Sequence, residues 1–346
     1  MRKVFSFATG GFLSVPIALE LRTSAHSSDG LTENDDEPRQ GKNSSGDKPE
    51  KKVSRVPVGI ARGKSVRESV QKAVELGGGL GFIKPGSTVL VKPNVNSDDS
   101  HPGTTNPEVL LHVLESVWGK NPKRVIVSDR SGFWGKTIEF MKKTGLYEAA
   151  IQGKAEVIPF DDGPWTEVKP ASATSWKDGF RFPELPLRVD SIISIPVCKT
   201  HKFATFTMAI KNFVGFLHPD DRTSRLHKSH GEPGFGTLIA ELGLAVTPKF
   251  YVMDATKVFV SGGPATGDEK KVDLIIASRD RVANDVVGLG LLKLLGTEKR
   301  IQDKSVWEQP QIKRTIELGL GIRSIEELKL QGFNSPEAER ILRYLS

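Results

Sequence analysis

The sequence predicts an α/β fold: a largely parallel sheet with helices on both faces, plus a small C-terminal helical appendage. Two patterns carry this expectation. Segments of strand character alternate with segments of helical character from about Val56 to Gly296. The strand segments, such as residues 88–91 and 190–197, are mostly continuous apolar runs, as strands buried on both faces require.

The elements follow in order. Ser65-Val66-Arg67-Glu68 is a capping box that opens a helix running to about Leu76, which Gly77 to Gly79 terminates. Residues 88–91 form a strand. Asn106 caps a helix with Pro107 at its first position, and that helix reaches about Trp118. Residues 124–129 are a strand, 136–150 a helix, 155–160 a strand and 190–197 a fourth strand. Residues 238–246 are helical, and 250–254 and 272–277 are strands. Asp280 caps a helix that Gly296 ends. Ser324-Ile325-Glu326-Glu327 and Ser335-Pro336-Glu337 read as two further helix starts.

Four regions result. Residues 1–25 read as a secretory signal: Arg2 and Lys3, an apolar stretch over 4–19, then small residues at Thr23-Ser24-Ala25. Residues 26–54 are polar and nearly free of large apolar groups, which predicts a disordered linker. Residues 55–296 are the α/β domain, and 297–346 the helical appendage. The expected location is therefore periplasmic or extracellular. No later segment could span a membrane.

Composition excludes several classes. The chain has 346 residues, 37% hydrophobic and 26% charged, enough for a sizeable core. Its net charge of +7 is scattered rather than striped, so nucleic acid is not an expected partner and a basic pocket for a small anion is. The single cysteine, Cys198, allows no intramolecular disulfide and no iron–sulfur cluster held by this chain alone. A lone thiol in an apolar run reads as a small buried hydrophobe. There is no GxGxxG after a strand, no P-loop and no GxSxG elbow.

In parallel sheets ligands collect beyond the carboxyl ends of the strands. Those ends carry Lys92, Asn94 and Asn96, then Asp129 and Ser131, then Lys199 and His201, then Asp254. Lys211 and Asn212 interrupt an apolar segment over 203–217, where a lysine must reach solvent, pair with an acid or serve a site. Lys92, Lys199 and Lys211 have the chemistry to hold an anion, and Asn94, Asn96, Ser131, Asn212 and Asp254 to line its site. His201, Asp129 and Lys211 are the candidates for catalysis, chiefly proton transfer. Singly, each also reads as turn chemistry, a cap or a solvated side chain; their clustering favours a pocket. Two alternatives stay open. One is a metal-dependent protein using His201, His218, His227, His230, Asp129 and Asp254, although Arg222, Arg225 and Lys228 would oppose a cation and a basic loop closing over a substrate fits better. The other is a non-catalytic accessory protein of a redox complex, tethered by residues 26–54.

Short motifs in order resemble the domain-of-unknown-function 362 family. They are Val91-Lys92-Pro93-Asn94, Gly103-Thr104-Thr105-Asn106-Pro107, Ser128-Asp129-Arg130-Ser131-Gly132, Pro196-Val197-Cys198-Lys199-Thr200-His201, residues 209–215, Gly262-Gly263-Pro264 and residues 277–285. The resemblance implies an α/β domain of unassigned activity, sometimes joined to a ferredoxin-type module, which one cysteine cannot supply here. It also adds Asp285 to the site candidates.

Overall fold

The structure is a computed structural model that describes residues 54–346 other than Phe133 and Pro233. The expected signal segment, and the expected linker up to residue 53, lie outside the described residues.

Twelve strands are found among the described residues: β1 (Val56–Ala61), β2 (Thr88–Pro93), β3 (Arg124–Val127), β4 (Glu156–Val157), β5 (Trp165–Val168), β6 (Phe180–Pro183), β7 (Ser191–Ile195), β8 (Val197–His201), β9 (Thr205–Thr207), β10 (Phe250–Gly262), β11 (Gly267–Ser278) and β12 (Leu328–Phe333). Strands β5 and β6 form a separate hairpin. The main sheet has the order β12-β1-β11-β10-β7-β2-β3-β4, with β8 and β9 extending from β10. Pairing is parallel throughout β10-β7-β2-β3-β4 and between β12 and β1, and antiparallel where β11 meets its two neighbours. The fold is thus a mixed, mostly parallel sheet covered by helices.

The two-residue period of a strand explains the two cores. Val89, Val91, Val125 and Val127 point to one side, where they pack with Val70, Val109, Val113 and Met141 of the covering helices. Leu90, Ile126, Met253 and Ile276 point to the other, toward Val286 and Leu289 of the Arg281–Leu295 helix and Ile239 of the Phe235–Glu241 helix. Each such side chain contributes roughly 1.5–3 kcal/mol by leaving water.

The caps behave as expected. Ser65 accepts from the Glu68 amide, Asn106 from the Glu108 amide and Asp280 from the Ala283 amide. Other readings are corrected. The helix expected over 136–150 is two helices, Thr137–Thr144 and Leu146–Gln152, because Gly145 takes φ 79°, a left-handed conformation that ends the first. The strand expected over 250–254 runs on to Gly262 and folds back as a long hairpin with β11. The strand expected over 190–197 is interrupted at Pro196 and resumes as β8 against the far half of β10, so Lys199 and His201 lie on a strand rather than after one. Ser324 opens only a single turn, Ile325–Glu327, before β12; Leu328 and Leu330 alternate with Lys329 and Gln331 at strand period. The C-terminal residues therefore supply an edge strand as well as the Pro310–Glu317 and Glu337–Leu342 helices. No helix among the described residues is long and apolar enough to cross a membrane.

Candidate functional site

Strands β2, β3 and β8 deliver polar groups to one edge of the sheet, and the Lys211–Phe216 turn closes over them. Asp285 fixes that turn: its carboxylate accepts from the amides of Ala209 (2.7 Å) and Ile210 (3.0 Å). The carboxyl is wholly buried, and burial pushes it up to about 8.

Between these elements lies a cavity of ≈ 40 Å³, lined by Asn94, Asn96, Asp129, Ser131, Lys199, Lys211, Asn212 and neighbours. A water needs about 10–15 Å³ of such space, so the cavity holds roughly three water-sized groups.

Asp129 is spoken for. Its Oδ1 lies 2.5 Å from Lys92 Nζ and accepts from the Arg130 amide, while Oδ2 accepts from the Val95 amide at 2.7 Å. Desolvation pushes the Lys92 ammonium down and the Asp129 carboxyl up, each opposed by the attraction of the other. Lys92 also donates to Asn212 Oδ1 (3.1 Å), whose amide nitrogen donates to Ser194 Oγ (2.8 Å). Gly215 permits this pair: a Cβ there would sit 2.0 Å from Asp129 Oδ1.

The remaining charge is positive. Lys199, with no exposed surface, donates to the carbonyls of Gly103 (2.5 Å) and Pro264 (2.7 Å), and burial lowers it to about 7. Arg222 donates to the carbonyls of Ser131, Arg130 and Val214. Lys211 Nζ has no hydrogen-bond or ion-pair partner among the described residues. Burial, then the Arg222 charge, lowers it to about 7. Buried polar atoms left unsatisfied include Asn94 Oδ1, Arg130 Nε, Thr207 Oγ1 and Arg222 Nε, all on residues lining this cavity. Such atoms are rare in native proteins, and a held water, ion or ligand is one way to satisfy them.

Of the candidates from sequence, Asn94, Asn96, Asp129, Ser131, Lys199, Lys211 and Asn212 meet at the cavity, with Lys92 directly behind Asp129. His201 and Asp254 do not line it. His201 Nδ1 accepts from the amides of Phe203 and Ala204, which fixes the ring as the Nε2–H tautomer. Burial holds it well below its ordinary range, with the nearby Lys211 charge adding to this. Asp254 is bound up with the Asn106 amide, Thr256 and His101 Nδ1 (3.2 Å). Cys198 is buried, with its thiol pushed up by desolvation.

Among the described residues no three His, Cys, Asp or Glu side chains gather to hold a metal, so the ligand set weighed from sequence is not assembled. His218 accepts from the Asp220 amide and meets Trp165 edge-on, while His230 stacks on Phe203 at 4.3 Å. The stretch read as a basic loop is helical turns anchored by buried Arg222 and Leu226. Sequence reasoning placed Arg222 only in that loop and missed Arg130 and Thr207 as lining residues.

Fold and site together define an α/β protein with a small cationic cavity at its strand ends. Residues 89–290 match the family model described as "Domain of unknown function (DUF362)", and the chain belongs to that family. A curated relative, the thylakoid-associated protein sll1697 of Synechocystis sp., is 29% identical over 239 residues, covering 66% of this chain and 71% of its own. Among solved structures, the lactate racemase apoprotein from Thermoanaerobacterium thermosaccharolyticum is 12% identical with a TM-score of 0.45, over 86% of this chain and 88% of its own. A Thermotoga maritima protein is 14% identical with a TM-score of 0.37, over 54% of this chain. The chain spans 49% of that protein's length.

Proposed function

We propose that this protein binds a small organic anion at the strand-end cavity, with Lys211, Lys199 and Arg222 providing the charge and Asn94, Asn96 and Asn212 orienting the ligand. One observation carries the reading. Lys211 lines the cavity without a partner among the described residues, while the one acidic residue among the described lining residues, Asp129, is already neutralised by Lys92 and two amides. A cavity with surplus buried cations and unsatisfied polar atoms gains most from an anion that hydrogen-bonds. Its volume suits a compact carboxylate or the charged end of a larger one. The apolar stretch near the N-terminus supports placing this activity outside the cytoplasm; N-terminal sequencing of the secreted chain would check that part.

The test is a thermal-shift panel of acetate, oxalate, glyoxylate and inorganic phosphate at pH 6.5, on the wild type and Lys211→Met. At least one anion should raise Tm in the wild type, by several degrees at saturating concentration. The shift should largely disappear in the variant. Equal shifts in both proteins, or none in either, would sink the assignment.

A further inference from the structure

We infer that Lys211 is a nucleophile that condenses with the carbonyl carbon of a small oxo acid bound at the cavity. The inference rests on the anion site proposed above and names the class of anion.

Three lysines meet in this region, and their partners separate their roles. Lys92 is committed to Asp129 and Asn212. Lys199 spends its ammonium on the carbonyls of Gly103 and Pro264. Lys211 lines the cavity with its amine uncommitted among the described residues. Its backbone is held by the anchoring of Ala209 and Ile210 on Asp285, at the start of a short, buried turn. With burial and the Arg222 charge lowering it to about 7, the Lys211 amine is divided near neutral pH between the ammonium that attracts the anion and the free amine whose lone pair attacks a carbonyl carbon. Arg222 and Lys199 supply that neighbouring charge, and the same two cations attract the carboxylate of an oxo acid. With room for about three water-sized groups, the cavity takes the smallest oxo acid or the reacting end of a larger one.

The step balances without an added reactant. The neutral amine attacks the carbonyl carbon, a C–N bond forms, and the carbonyl π pair moves to oxygen. That oxygen takes up the two protons lost from nitrogen and leaves as water, giving the imine. No electron is gained or lost.

The experiment treats the full chain with glyoxylate and sodium cyanoborohydride at neutral pH. The reductant traps an imine as a stable carboxymethyl-lysine. Intact mass and peptide mapping then locate it. One carboxymethyl group per chain, mapped to Lys211, is expected. Lys211→Arg, checked for an unchanged far-UV spectrum and cooperative melting, should lose it; Lys143→Arg, an exposed surface change, should keep it. Oxalate, which cannot form the imine, is run beside it on the wild type. An oxalate-induced thermal shift with labelling scattered over surface lysines, or mapped to Lys199, overturns the nucleophile and leaves the anion site standing. No oxalate or glyoxylate shift and no enrichment at Lys211 overturns both.

Discussion

Lys92 Nζ and Asp129 Oδ1 lie 2.5 Å apart with side chains only 1% and 3% exposed, linking β2 to the second residue after β3. A buried pair of this kind gives little net stability over an apolar one, but losing one partner strands the other charge. Lys92→Met should therefore destabilise by about 3–5 kcal/mol in urea unfolding. Gly215→Ala should also destabilise, because its Cβ would strike the pair. An unchanged midpoint in either variant would contradict the geometry.

Lys211→Met should behave in the opposite way. Burial lowers the Lys211 ammonium from 10.5 to about 7, so it carries a folding penalty that is full below pH 7 and fades toward pH 10.5. Removing it should stabilise the protein by about 1–2 kcal/mol at pH 6, with the gain shrinking by pH 10. The Lys211 charge is also part of what lowers Lys199, so its removal relieves Lys199 as well and the gain at low pH includes that relief. Paired urea titrations at the two pH values check both sign and trend.

Asp285 gives a third prediction. Its folded value of about 8 lies above the ordinary carboxylate range, so the wild type loses stability from this group as pH rises from about 4 to 8. Asp285→Asn should flatten that part of the pH–stability curve. Asp285→Ala should cost about 1–3 kcal/mol by leaving buried amides without an acceptor. It should also weaken anion binding, since those amides begin the Lys211 turn.

Anion affinity should itself fall as pH rises from 6.5 to 9, because Lys211 and Lys199 lose charge in that interval. The other groups around Lys211 are Arg222, His201, His227 and His230. Arg222 keeps its charge at about 10, and burial holds the three histidines below their ordinary range. The decline should therefore follow the lysines. Binding measured across this pH range provides the check.

Much of the site was legible because its groups sit at strand ends. Lys92, Asn94, Asp129 and Lys199 each interrupt or follow an apolar run, and a parallel sheet brings such positions to one edge. Lys211 stood out as a charge inside apolar sequence. Arg222 did not: nothing local distinguishes it from Arg225, yet Arg222 is buried over Ser131 and Arg225 is exposed. That difference comes from tertiary packing. The β10–β11 hairpin is not legible in the sequence although Gly262, Gly263 and Pro264 spell a turn, because Asp254 breaks the apolar run before them. Strand β12 was hidden behind a helix-start motif that yields one turn only.

The most direct test of the central claim is calorimetric titration of the wild type with oxalate at pH 7.5 in two buffers of different ionisation enthalpy. An anion seated against lysines of depressed pKa draws protons onto them. The expected result is saturable binding with net proton uptake, seen as a buffer-dependent heat, and loss of that uptake in Lys211→Met. Absence of binding, or binding with the same heat in both buffers and in both proteins, would contradict it.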